Sequence, residues 1–170
     1  MKNFISLLLA SMFIIGLSFN LSAQSNEEEL DQLELLKQFE GTWKAETGED
    51  SAVVITYEPI GNGFLLTQEN MANGDIYLRA KAIMGVSNDK KTIIVSSVTQ
   101  DGEVAFNYGK FVSDKKSVFE FYVENVRHPF NIQEFDFQSP DAFAVRGKYR
   151  GEKMTWDANW WDTATFHRVK

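Results

Sequence analysis

From Gly41 to the end of the chain the residues alternate apolar and polar with a period of two, the repeat of a strand with one face buried. Ile76, Leu78, Ala80, Ala82 and Met84 alternate with Tyr77, Arg79 and Lys81. Phe119, Phe121 and Val123 alternate with Glu120 and Glu124, and Phe143 and Val145 with Arg146 and Lys148. Turn-forming clusters separate the runs: Gly48-Glu49-Asp50, Pro59 to Gly63, Asn73-Gly74-Asp75, Ser87-Asn88-Asp89, Asp101-Gly102, Ser113-Asp114, Arg127-His128-Pro129, Ser139-Pro140-Asp141 and Gly151-Glu152. They recur about every 9 to 14 residues, the spacing of an antiparallel meander. The predicted strands are roughly 42–47, 51–58, 64–71, 76–86, 91–99, 103–112, 117–126, 130–138, 142–150 and 153–169. A meander this long twists, and left open it exposes two edges that invite aggregation. Closure removes both edges. The sequence therefore predicts an all-β chain: a single closed antiparallel up-and-down barrel of eight to ten strands, with room inside for side chains or for one small ligand.

Upstream of the strands, Leu30, Leu33, Leu36 and Phe39 recur every three residues with charges between them, which predicts a short amphipathic helix ending near Gly41. Its polar face is acidic, so it is expected to dock on its own domain and not on a membrane surface. Further upstream, Lys2 precedes an apolar run from Phe4 to Leu21 and the small-residue exit Leu21-Ser22-Ala23. This is the pattern of a secretory signal peptide over 1–23, cleaved before Gln24. Residues 24–40 then form a loose N-terminus and the short helix, and 41–170 the barrel domain. Losing the leader removes one lysine from a chain of 17 basic and 24 acidic side chains, leaving a formal charge near −8. Nucleic acid and anionic lipid both require a basic footprint, so neither is an expected partner. The chain has no cysteine, but a domain this size buries roughly 70% of its unfolded surface and needs no disulfide. Past the leader no apolar run reaches the ~20 residues of a membrane-spanning helix, so no membrane insertion is expected. The expected location is the periplasm or the exterior of the cell.

The segment Phe39-Glu40-Gly41-Thr42-Trp43 places a Gly-x-Trp at the start of the first strand, just after the helix. Together with Arg168, in the terminal Thr165-Phe166-His167-Arg168-Val169, it resembles the lipocalin signature of the calycin superfamily. Ile60-Gly61-Asn62-Gly63-Phe64 and Lys81 to Val86 look like the exported bacterial lipocalin-like group of undefined function. The resemblance implies that Arg168 lies across Trp43 and closes one end of the barrel, a guanidinium stacked on an indole. It spans the mature chain in topology, but the second and third motifs of well-characterised carriers are absent, so their ligands do not carry over. On this reading Trp43 and Arg168 are a structural closure.

Motifs for chemistry are sparse. The two histidines, His128 and His167, have no histidine or cysteine neighbour, so the sequence points to no metal and no cofactor. A haem would need an inward histidine, whereas His167 points to solvent if Phe166 faces inward, and His128 lies in a turn. Gly-x-Ser-x-Gly and a Gly-rich phosphate loop are both missing, so no catalytic residue is assigned. The carboxylate pairs Glu134/Asp136 and Glu120/Glu124 are read as solvation of an exposed strand face.

The expected function is that of an exported binding protein holding a small apolar molecule inside the barrel. Small inward residues beside aromatic ones leave a lined space of about 300–1,000 Å³. Parity assigns Leu78, Ala80, Phe106, Tyr108, Phe119 and Phe121 to its lining, with Trp156 or Trp160 near one end. Tyr108 is expected to orient the ligand, since a phenol gives direction at low desolvation cost. Two rivals stay open: a calycin-type isomerase or hydrolase using Tyr108, Asn107 or Arg146, and a filled barrel that serves as a structural or partner-binding module. Oligomeric state is not written in the sequence.

Overall fold

The computed structural model describes residues 29–123, 129–149 and 161–170. Ten strands follow in chain order: β1 (Gly41–Gly48), β2 (Ser51–Ile60), β3 (Gly63–Ala72), β4 (Asp75–Val86), β5 (Ile93–Thr99), β6 (Val104–Ser113), β7 (Lys116–Val123), β8 (Asn131–Ser139), β9 (Ala142–Tyr149) and β10 (Trp161–Arg168). Each pairs antiparallel with the next, and β10 returns to pair with β1. The barrel is closed, as the alternation and the cost of open edges predict. Strand bounds agree with expectation to within one or two residues, except where the ranges for β7 and β10 run into residues outside the described set. No helix among the described residues is long and apolar enough to cross a membrane.

The helix, α1 (Gln32–Leu36), is shorter than the apolar rhythm suggests and tightens into a 3₁₀ turn over Lys37–Phe39. Asp31 caps it, its carboxylate accepting from the Leu33 and Glu34 amides at 3.0 and 3.1 Å. Its buried face carries Gln32 and Leu36. Gln32 faces inward because its side-chain amide clasps the β6 backbone: Nε2 donates to the Phe111 carbonyl (3.1 Å) and Oε1 accepts from the Phe111 amide (2.6 Å). That pair of bonds seats the helix in one mouth of the barrel.

The same mouth holds the aromatic core. The Phe39 ring lies 4.9 Å from Phe137, 5.2 Å from Tyr57 and 5.7 Å from Phe135, centroid to centroid. Trp43 is fully buried, donates its indole N–H to the Phe39 carbonyl at 2.7 Å and packs on Phe143 at 4.7 Å. Arg168 lies over it, Cζ 4.2 Å from the ring centroid, in β1–β10 register with Trp43 itself. The contact implied by the resemblance is present. The guanidinium also donates to the carbonyls of Glu40, Gln38 and Pro140, so one side chain ties β10 to the 3₁₀ turn and to the β8–β9 turn. Gly41 is required there for two reasons. Its φ is +108°, and a Cβ would stand 2.7 Å from Arg168 Nη1.

One end of β4 and the whole of β6 present the opposite parity from the one expected. On β4, Ala80 pairs with Gln68 and Leu78 with Glu69, leaving Arg79 as the extra residue of a bulge. Ala80, Ala82 and Met84 keep the inward face, but beyond the bulge Leu78 turns out and is 39% exposed. On β6 the inward set is Asn107, Gly109 and Phe111, and Phe106 and Tyr108 stand outside at 40% and 42% exposure. Both sets on β6 contain apolar residues, so alternation alone does not choose between them. The Gln32 clasp and the burial of Phe111 beneath Phe39 do.

If this mouth is held as described, Trp43→Ala should cost about 3–5 kcal/mol of unfolding free energy in a denaturant titration. Arg168→Ala should cost about 2–4 kcal/mol, and Arg168→Lys should recover less than half of that, because an ammonium cannot fan out to three carbonyls and stack as well. A fully rescuing lysine would show that charge alone matters.

Candidate functional site

Above the aromatic floor the barrel is hollow. A cavity of about 470 Å³ runs from Phe39 toward the mouth where the β3–β4 and β5–β6 turns lie. One wall is made small by Ala80 and Ala82 on β4, with Val95 beside them on β5. Nearly across the barrel, β7 and β8 supply Phe119, Phe121 and Phe135. Glycine keeps that second wall flat. A Cβ at Gly109 would come within 2.4 Å of the Phe119 ring, so the missing side chain lets the ring lie against the wall instead of crossing the lumen.

Polar groups interrupt this surface at a few points. Tyr57, Gln68, Ser97, Asn107 and Gln133 all line it. Burial raises the Tyr57 phenol well above its usual pKa, so it stays protonated and neutral. Asn107 is 8% exposed, and its Oδ1 has no hydrogen-bond partner. The cationic side chains on the lining belong to Arg79 and Lys81. Arg79 is half-exposed with Nη1 3.8 Å from an Asp101 carboxylate oxygen, and Lys81 lies on the outward parity of β4. Among the described residues, those lining the deep part of the chamber are uncharged.

Of the residues expected to line it, Ala80, Phe119 and Phe121 do. Leu78, Phe106 and Tyr108 do not, for the parity reasons above. Tyr108 instead packs edge-on against Tyr122 on the outer wall, ring centroids 5.6 Å apart. Trp156 and Trp160, like His128, lie outside the described residues. His167 is exposed on β10, opposite Lys44. Among the three groups considered for an enzyme, Asn107 alone faces the chamber. Arg146 sits on the outer face, its Nε and Nη2 each 2.6 Å from Glu134, which Lys116 also approaches at 3.2 Å. Glu134 is consequently a buried ionic partner (8% exposed) and not a solvating carboxylate. Glu120 accepts from the Tyr122 hydroxyl at 2.8 Å. Sequence reasoning passed over Tyr57, Gln68 and Gln133. The available signal was a polar residue sharing parity with apolar ones, as Tyr57 does with Val53 and Ile55, Gln68 with Phe64 and Leu66, and Gln133 with Phe135 and Phe137.

No protein-family model and no curated protein matches the chain. Among solved structures, one described as EF1p2_mFAP2b bound to DFHBI aligns with 81% of this chain and 99% of its own, at 14% identity and a TM-score of 0.37. That likeness assigns neither a family nor a ligand.

The Tyr57 environment carries a pH signature. A phenol with a raised pKa in the folded state costs nothing below its ordinary value of 10.0, and above it the folded state retains a proton that the unfolded state loses. Stability should therefore fall as the pH rises above 10, by up to about 1.4 kcal/mol per pH unit from this group. Unfolding titrations near pH 9 and pH 11 should show a steeper loss for the wild type than for Tyr57→Phe. Equal losses would mean the phenol is solvated.

Proposed function

We propose that this chain is an exported binding protein, lipocalin-like in type, that holds one small and largely apolar molecule inside its barrel and has no catalytic role. The observation that carries the reading is the chamber of about 470 Å³ between the Phe39 floor and the far mouth. That volume lies within the range of small-molecule sites, and its surface has the usual character of one: apolar and aromatic, with a few placed polar groups. The chamber weighs against a filled structural module. The enzyme reading is weakened because Tyr108 and Arg146 lie on the outer wall, and Asn107, the one of the three candidates that faces the chamber, carries an amide that neither gives up nor takes a proton near neutral pH. Export rests on the leader pattern of Met1–Ala23, with a mature start at Gln24 that intact-mass measurement of secreted protein would reveal.

The test is a titration with N-phenyl-1-naphthylamine, a neutral dye whose emission rises in apolar surroundings. The wild type should bind it more tightly than about 1 mM, equivalent to roughly −4 kcal/mol. Ala80→Trp and Ala82→Trp place an indole in the lumen and should each weaken binding at least about 10-fold while leaving the fold intact by circular dichroism. Dye binding that both substitutions leave unchanged would place the site elsewhere and end the carrier reading.

A further inference from the structure

Among the described residues that line the chamber, Asn107 is the one with a buried polar atom left without a hydrogen-bond partner. It is more than nine-tenths buried, it lines the cavity, and its Oδ1 accepts no hydrogen bond. Its in-register neighbours on the adjoining strands are Val95 and Phe121, and the next inward residues on its own strand are Ala105 and Gly109. None of these side chains can donate. A buried acceptor left in this condition destabilises the empty protein, and the wall around it is otherwise well suited to an apolar side chain. An amide at such a position is explained by a partner that arrives with the ligand.

We propose that Asn107 is the polar anchor of the chamber, and that the molecule it takes is neutral and largely apolar with one hydroxyl or amide group that donates to Asn107 Oδ1 as the amide, whose oxygen has no open surface in the empty barrel, turns toward it. The proposal rests on the binding reading above and narrows it to a ligand class. A hydroxyl suits the site in either amide orientation, because it can donate to the carbonyl or accept from the NH₂ group. A carboxylate does not suit it. Among the described residues the deep lining holds no cation, Arg79 is already engaged with Asp101 at the far mouth, and the Tyr57 phenol is neutral. An anion placed beside Asn107 would lose its hydration without gaining a countercharge.

Three probes of one shape separate the possibilities: naphthalene, 2-naphthol and 2-naphthoate, titrated at neutral pH by fluorescence against wild type, Asn107→Leu and Asn107→Ala. The wild type should bind 2-naphthol about 10-fold more tightly than naphthalene, the effect of one buried neutral hydrogen bond, and 2-naphthoate most weakly. In Asn107→Leu the preference for 2-naphthol should shrink to within about 2-fold while naphthalene still binds. The ligand-free variant should also melt about 2–4 °C higher, since an orphaned acceptor has been removed. Asn107→Ala supplies the same comparison of ligands if the leucine variant folds poorly.

Equal affinities of the wild type for naphthalene and 2-naphthol, a hydroxyl preference that survives in both variants, or a preference for 2-naphthoate would each overturn the proposal and leave the carrier reading standing. Failure of all three probes, together with failure of the neutral dye, would overturn both.

Discussion

Arg168 reaches across the barrel seam and lies over Trp43, its Cζ 4.2 Å from the centre of the ring, with its N–H groups directed at the carbonyls of Gln38, Glu40 and Pro140. Most of the architecture depends on this contact. It joins the last strand to the first, which is the step that turns a ten-stranded meander into a closed surface. It also pins the 3₁₀ turn, and with it Phe39, over the same mouth. Trp43 completes the link by donating to the Phe39 carbonyl. Charge, stacking and hydrogen bonding converge on one guanidinium because its planar fork can do all three together. Gly41 is part of the same device, since a side chain there would occupy the space that the guanidinium fills.

Placing the large aromatics at that end has a consequence for the other. Trp43, Phe39, Phe111, Phe137 and Phe143 form a dense floor, and the stabilisation from their burial is concentrated in about half of the barrel. The remaining half can then tolerate alanines on β4, a glycine beneath Phe119 and an unpartnered amide oxygen at Asn107. Stability and an open interior are kept apart in space. This division lets a chain without disulfides keep a hollow centre.

The strands were legible in the sequence because turn chemistry and period-two patterning are local signals, and the closing pair was legible because Gly-x-Trp and a terminal arginine stand at the two ends of the barrel. The lining was only partly legible, because parity is decided by contacts distant in sequence. Nothing within β4 marks Arg79 as an extra residue, yet the bulge sends Leu78 outward while Ala80 stays in. On β6 the more aromatic set, Phe106 and Tyr108, invites an inward reading. The Gln32 amide, 79 residues away from Phe111, fixes the alternative. The polar group that β6 gives the chamber is accordingly Asn107, one residue before the tyrosine that parity suggested. Glu134 illustrates the same limit, since its burial between Lys116 and Arg146 depends on the pairing of three strands.

In the ligand-free protein the upper half of the barrel is an open, largely apolar chamber. Diffraction from crystals pressurised with xenon tests it directly, because xenon settles in apolar cavities and is excluded from packed interiors. The account predicts a xenon peak inside the barrel, bounded by Leu66, Ala82, Met84 and Phe119 and above the Phe39 ring. A barrel with no internal xenon, and with the Phe119 and Phe121 side chains turned across the lumen against β4, would contradict it.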